Sequence, residues 1–280
     1  MKIAFLMRQP APGGQSVTTE VLRLLRDWGT TVDVLHPENQ ATNLAEMTPS
    51  HDLYVLRSVS DASIAHAGIL DSLGARIINP YPVSRDCRDK VLVTALLLRA
   101  GIPVPGTWVV ERPTQLAPLL DGGPIVVKPT RGSQGRGVHV VWDVDELLEL
   151  GAGDGPMLAQ RFHPRQGRDR KLYCIGGQLF GVKRVWPART YEEKTGEPFT
   201  VTAELRDIAL QVGAVIGTDL FGLDIVISDD RPYVVDVNPF PGFKGVPEAA
   251  LRLADYVYAA AALAVIEAGQ AVPRPVGLTA

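Results

Sequence analysis

Lys128 closes an apolar run and is followed at once by glycines, which is a combination suited to gripping phosphate. Residues 125–142 read IVVKPTRGSQGRGVHVVW. Branched apolar residues lead to Lys128, a loop holds Gly132, Gly135 and Gly137, and Val138, Val140 and Trp142 then alternate. The pattern predicts strand, flexible loop, strand. Burying an ammonium without an anion costs on the order of several kcal/mol, and a polyphosphate would satisfy it. Glycines let backbone N–H groups approach phosphate oxygens, while Arg131, Ser133, Gln134 and Arg136 add donors. The competing reading is a hairpin with a solvated tip and a lysine that snorkels to water. There is no G-x-x-x-x-G-K-[ST] sequence, and the glycines lead into a strand rather than a helix. A P-loop and a dinucleotide fingerprint are thereby excluded.

A second set of chemistry-bearing residues lies near the C-terminus. Asp224 interrupts an apolar run over residues 222–227, and Asp236 interrupts Val234, Val235 and Val237. The two acids are symmetric about Asp230, so hairpin pairing sets them opposite one another, and Asn238 shares the face of Asp236 by the two-residue period. Facing carboxylates repel, so something positive must sit between them. Two aspartates and an amide oxygen are hard ligands that suit a Mg²⁺ ion keeping its waters and bridging nucleotide phosphates. A carboxylate pair sharing a proton as general acid and base is the other functional reading. Flanking valines on both strands disfavour a pair of solvated edge acids.

The elements that must position these residues follow from periodicity. Residues 1–82 alternate strand and helix: strands at 3–7, 32–35, 53–56 and 76–78, a helical stripe of Val17, Val21, Leu22, Leu24, Leu25 and Trp28 ended by Gly29, and a helix at 62–73. Such alternation implies a small parallel sheet covered by helices, with ligands beyond the carboxyl ends of the strands. The loop at 8–16, carrying Arg8 and Gly13-Gly14, and the pair Arg57-Ser58 therefore point toward a substrate. Residues 84–100 read as one amphipathic helix carrying Arg85, Asp86, Asp89 and Lys90, ended by Gly101 ahead of a rigid Pro103 and Pro105 exit. Residues 157–162 form an extended segment between two lobes, whose free backbone groups are the pairing an adenine edge needs. Arg165 to Lys171, RQGRDRK, is a local basic cluster. Strands around Gly176-Gly177 give a hairpin presenting Lys183 and Arg184, and residues 187–202 read as polar and irregular. A helix at 204–216, a hairpin around 228–232 and a last helix from 247 to about 268 complete the chain.

Composition bounds the class. The chain has 280 residues, 46% hydrophobic, enough for two or three lobes, and a formal charge of -3. That charge gives no global reason to expect nucleic acid or an anionic membrane as partner. Cys87 and Cys174 lie far apart in apolar surroundings and read as buried free thiols of a reducing cytoplasm. No apolar run is expected to reach the length of a membrane span, the nearest being the alanine-rich stretch at 256–268. The sequence leaves a homodimer open.

Taken together, Lys90, Lys128-Pro129, the glycine loop, Gln160-Arg161-Phe162, Asp224, Asp236-Val237-Asn238 and Pro239-Phe240-Pro241-Gly242 resemble the ATP-grasp superfamily over nearly the whole chain. The resemblance is to ribosomal-protein glutamate ligases and glutathione synthetase-like carboxylate-amine ligases. It implies an α/β ATP-grasp fold: an N-terminal Rossmann-like parallel-sheet domain at 1–82 that binds substrate, a central lid domain at 83–160, and a C-terminal antiparallel-sheet domain at 161–280 with the metal site. It implies that Lys90 and Lys128 hold phosphates, with Lys183 and the lid residues Arg131, Gly132, Ser133, Gln134 and Gly135 as further nucleotide contacts. Gln160, Arg161 and Phe162 would receive adenine through backbone. Asp224, Asp236 and Asn238 would hold two Mg²⁺ ions, with Mn²⁺ as a substitute, and Lys171 and Arg184 would act at the transferred phosphate. The implied reaction is activation of a small-molecule or peptide carboxylate as an acyl phosphate and its capture by an amine. Two departures point elsewhere: an aspartate at 236 where those glutamate ligases carry glutamate, and no asparagine between Gly181 and Asp224. Lys171-Leu172-Tyr173 and Val182-Lys183-Arg184 resemble inositol polyphosphate kinases of the same superfamily, in which a hydroxyl is phosphorylated and the basic cluster binds substrate phosphates. A non-catalytic ATP-binding protein is disfavoured by the full metal set.

Overall fold

Three sheets divide the work. The computed structural model describes residues 1–9, 16–132, 135–151, 155–185 and 190–269. In the first lobe β1 (Lys2–Leu6), α1 (Val17–Asp27), β2 (Thr31–Leu35), β3 (Leu53–Leu56), α2 (Asp61–Ser72) and β4 (Ile77–Ile78) form a parallel sheet of order β2-β1-β3-β4. Ser16 caps α1 and Ser60 caps α2 through their side chains, which fixes where each helix enters. The alternating pattern thus yields the parallel sheet that it predicts.

The expected single helix at 84–100 is two helices, α3 (Tyr81–Asp86) and α4 (Lys90–Arg99). Asp89 is the reason: its carboxylate accepts from the N–H groups of Val91 and Leu92, and it is the N-cap of a new helix rather than a residue inside an old one. Lys90 is therefore in the first turn of α4, aimed along the start of a helix. The buried side chains Cys87, Val93, Leu97 and Ile102 pack with the helix Ala203–Ile216 and the C-terminal sheet, so this stretch sides with the C-terminal core.

The central sheet is antiparallel, made from β5 (Thr107–Val110), β6 (Ile125–Pro129), β7 (His139–Val141) and β8 (Met157–Arg161) in the order β5-β8-β6-β7, with α5 (Val144–Glu149) after β7. The hairpin β6–β7 carries the glycine loop. The third sheet contains β9 (Asp169–Ile175), β10 (Gln178–Arg184), β11 (Glu197–Phe199), β12 (Leu220–Ser228) and β13 (Arg231–Asn238), ordered β11-β10-β9-β12-β13. Residues 190–199, expected to be irregular, hold α6 (Tyr191–Thr195) and β11. Thr190 and Glu193 cap α6 reciprocally, and β11 extends the sheet by pairing with β10.

The two faces of this third sheet bury different things. Leu172, Phe221, Leu223, Ile225 and Val234 meet α4 and α7 (Ala203–Ile216). Tyr173, Ile175, Val182 and Leu220 meet Phe240, Phe243 and α8 (Ala249–Glu267), and that core continues into β1, β3 and α1 of the first lobe. By length and composition α8, a helix of 19 residues, is apolar enough to cross a membrane, so one run does reach that length. A core helix passes the same test, and Leu253, Ala254, Val257 and Ala261 of α8 are buried between the sheets.

Candidate active site

The acid pair is set by a bulge. Asp229 and Asp230 form a two-residue turn with φ of 48° and 58°, left-handed conformations of the kind tight hairpins require. Ser228 pairs with Arg231 and Ile225 with Val234, but Asp224 pairs with Asp236, so Val235 is an extra residue in β13. The acids do face one another, as symmetry about Asp230 suggests, although the turn is centred half a residue earlier and the bulge makes up the difference. The positive charge they need is present. Lys171 Nζ donates to both oxygens of Asp224, at 2.7 and 3.0 Å, and Lys90 Nζ donates to Asp236. Burial alone would pull the Lys171 ammonium down, yet Asp224 outweighs it and holds the pKa above the ordinary lysine value.

Asn238 lies in register with Gly222, on the face of Asp236, and its Oδ1 accepts from the Phe240 N–H at 3.0 Å. Among the described residues no group of three or more His, Cys, Asp or Glu could hold a metal. Two opposed carboxylates and one amide oxygen nevertheless fit Mg²⁺, which takes one or two carboxylates and completes its shell with water and substrate phosphate.

Lys128 enters from the central sheet. It is 7% exposed and donates to the carbonyl of Val235 at 2.8 Å, an oxygen that the bulge releases from the ladder. Burial pulls its pKa to about 8; Lys90 adds to the depression and Asp236 opposes it. The Lys90 N–H donates to Thr130 O at 3.1 Å, tying the start of α4 to the base of the glycine loop. Gly135 and Gly137 have φ of 71° and 68°, and a Cβ on Gly137 would meet Pro129 at 3.0 Å. Arg131 and Gly132 are exposed, whereas Ser133 and Gln134 lie outside the described residues. Arg88 pairs with Asp61 of α2 at 2.6 Å, and Arg88, then Arg131, hold that carboxyl below its usual range.

Gln160, Arg161 and Phe162 depart from expectation. β8 is an inner strand with β5 on one side and β6 on the other, so the N–H groups at its end are taken within the protein. The Arg161 N–H donates to Gly106 O and the Phe162 N–H to Pro124 O. Gln160 is buried, with its amide on Thr107 Oγ1, and the Arg161 guanidinium closes the turn at 113–122 through Leu119 O and Gly123 O. Extended sequence alone does not reveal that both neighbours are taken. The aromatic pairs around this strand end went unsignalled: Trp142 with Phe162 at 5.6 Å, and His163 stacked on Tyr233 at 3.9 Å.

Lys183 and Arg184 part company. Val182 pairs with Lys171 and Lys183 with Arg170, so Arg184 shares a face with Tyr173 and Asp169 while Lys183 faces the other way. Lys183 and Arg170 flank the Phe199 ring and line a separate cleft of about 370 Å³ with Thr202 and Glu204. Lys183 is thus removed from the group around Asp224. Arg184 donates to Tyr173 Oη and to Lys244 O, and its buried Nε has no hydrogen-bond partner among the described residues. The basic cluster is largely answered by local acids, Arg165 by Asp169 and Arg168 by Glu197. In the first lobe Arg57 donates to Phe240 O and Thr18 Oγ1, so it braces the segment after Asn238; Arg8 is exposed, and Gly13-Gly14 lie outside the described residues. Both cysteines are free and buried, and burial pushes Cys87 up to about 12 and Cys174 to about 11, which keeps them as inert thiols.

Residues 87–257 match the family described as the RimK-like ATP-grasp domain. The α-aminoadipate–LysW ligase LysX of Saccharolobus solfataricus is 30% identical over 210 residues, covering 69% of this chain and 76% of that one. A probable alpha-L-glutamate ligase of Aliivibrio salmonicida is 28% identical over 207 residues, 67% of this chain and 69% of the relative. In three dimensions the chain is similar to the crystal structure of a RimK domain ATP-grasp protein from Sphaerobacter thermophilus, with a TM-score of 0.73, 23% identity, and 92% and 99% of the two chains covered.

Proposed function

Because the chain belongs to the RimK-like ATP-grasp family of carboxylate-amine ligases, we propose that its acid pair, its lysines and Arg184 form the site where ATP activates a carboxylate. It is an enzyme that forms a C–N bond and releases ADP and phosphate, using ATP and Mg²⁺. The observation that carries the site is the opposed pair Asp224 and Asp236, each met by a lysine from a different element. The two-ion count, the Mn²⁺ substitute and a cytoplasmic location belong to the same proposal, as does the division at 1–82, 83–160 and 161–280, whose middle segment begins with residues packed on the C-terminal core. The two free buried thiols support that location.

Asp224, Asp236 and Asn238 would hold Mg²⁺, which supplies charge neutralisation at the phosphates. Lys128, buried and short of anions, binds phosphate oxygens from the central sheet, and Lys90 joins it when released from Asp236. The substrate carboxylate attacks the γ-phosphorus and ADP leaves. Lys171 and Arg184 offset the charge that builds on the transferred group. A neutral amine then attacks the acyl carbon, phosphate departs, and the amine loses its extra proton. The unpartnered Nε of Arg184 gives that face a donor for an oxyanion. The relatives named for α-aminoadipate and L-glutamate support an acidic α-amino acid as the amine. The hydroxyl-phosphorylating alternative draws no support from them.

The test is ADP release against a panel of amino acids and short peptides with hydroxylamine present. A ligase gives hydroxamate, formed by trapping of the acyl phosphate. ADP release with an inositol phosphate and no hydroxamate reverses the assignment.

A further inference from the structure

No motif singles out Glu38, and the catalytic group does not use it. It sits beyond the carboxyl end of β2, in a 3-10 turn at Pro37–Asn39. Its Oε1 accepts from Ser58 Oγ at 3.1 Å, from Ser63 Oγ at 3.0 Å and from Ser60 Oγ. Ser63 is fully buried and Ser58 is 8% exposed, so a carboxylate is fixed rigidly by hydroxyls that donate only to it among acids. Among the described residues the cation near it is Arg8, whose Nε stands 3.9 Å away on a side chain 72% exposed, a loose contact that costs little to displace. No side chain among the described residues bonds Oε2, and the Glu38 side chain is 23% exposed. Burial lifts this carboxyl, but the serine hydroxyls and its own N–H bring it below the usual range, so it stays charged.

Its position is that of a ligand site. Arg8, Glu38 and Ser58 follow β1, β2 and β3, and the crevice outside the carboxyl ends of adjacent parallel strands is where open α/β sheets bind ligands. Ser58 adjoins Arg57, whose guanidinium bonds the carbonyl of Phe240, two residues past Asn238. The cradle is thus coupled by one side chain to the end of the acid strand.

We propose that Glu38 is the docking anion for an ammonium on the substrate that supplies the carboxylate, so that this substrate is a free amino acid. The inference rests on the ligase reading. An amine held as ammonium on a carboxylate has no lone pair to attack an acyl group, which assigns the docked charge to the activated acid rather than to the nucleophile.

The test is calorimetric titration of the whole protein, with MgADP present, using the standard amino acids and their N-acetyl counterparts. At least one amino acid binds, its N-acetyl form binds at least ~10-fold more weakly, and Glu38→Gln costs the free amine form about the same factor while leaving the acetyl form unchanged. Glutamine keeps the oxygen that the serines need and removes only the charge. Equal binding of free and acetylated forms by the native protein overturns the proposal without any variant, as does equal weakening of both by Glu38→Gln or binding of no amino acid at all. Hydroxamate formation is scored separately: its absence beside an intact amine preference fells the ligase reading and leaves the docking site standing.

Discussion

Lys128 should make nucleotide affinity depend on pH. Its pKa stands near 8 in the free protein, against 10.5 for an ordinary lysine, and polyphosphate beside it raises that value again. The bound state therefore holds more protons than the free state between about pH 8 and the ordinary lysine range, so ATP binding takes up protons there and weakens as pH rises through 8. Calorimetry at pH 8.5 in buffers of different ionisation heat should show this uptake, and Lys128→Met should abolish it. An absence of uptake in the native protein removes the phosphate role of Lys128. Lys171, read as acting at the transferred phosphate, and Lys183, read as a nucleotide contact, give a second contrast. Lys171→Ala should lower kcat by about 10²-fold, the size expected for losing a charge that faces the transferred group, while Lys183→Ala leaves kcat and the KM for ATP unchanged. Loss of activity in Lys183→Ala would mean that the sheet face opposite Asp224 takes part. Lys183 and Arg184 are adjacent in β10 and point to opposite faces, and a run of two cations conceals which one faces the site.

At the scale of elements, the hairpin of β12 and β13 was legible because acids in a valine-rich strand stand out, but its bulge was not. An extra residue leaves no mark in the period-two pattern when valine follows valine. By bulging out of the ladder Val235 leaves Asp236 free to pair with Asp224, and it offers its carbonyl to Lys128. Deleting Val235 restores a regular ladder in which the acids still face one another, so Mg²⁺ dependence should survive while the KM for ATP rises about 10-fold, the worth of one charge-assisted hydrogen bond. A deletion variant with native KM would show that the carbonyl does not position the lysine. The split between α3 and α4 was hidden for a similar reason: Asp89 continues the polar side of an amphipathic stripe, and only its bonds to Val91 and Leu92 reveal a cap. β8 illustrates the opposite limit, where an extended segment was recognised but its pairing on both edges depends on strands distant in sequence.

For the molecule as a whole, strand–helix alternation showed the first sheet and hairpin patterns suggested parts of the others, without showing how the lobes are joined. Asn79 is the clearest case. It is 1% exposed and donates to the carbonyls of Leu220 and Pro239, and its Oδ1 accepts from Thr218. A lone asparagine before Pro80 gives no hint of this. Asn79→Ala strands several buried groups at about 1–3 kcal/mol each, so urea denaturation should show a loss of roughly 3 kcal/mol or more. A variant as stable as the native protein would mean that the lobes are held by the shared core alone. The turn at 88–90 raises a different matter. Arg88 reaches the substrate lobe through Asp61, the Lys90 N–H holds the glycine hairpin, and the Lys90 ammonium rests on the acid strand. A guest in any of the three compartments must rearrange the same few atoms. Such wiring makes the guests mutually aware, and thermodynamics then demands symmetry: the factor by which nucleotide sharpens the grip on acid is the factor by which acid sharpens the grip on nucleotide.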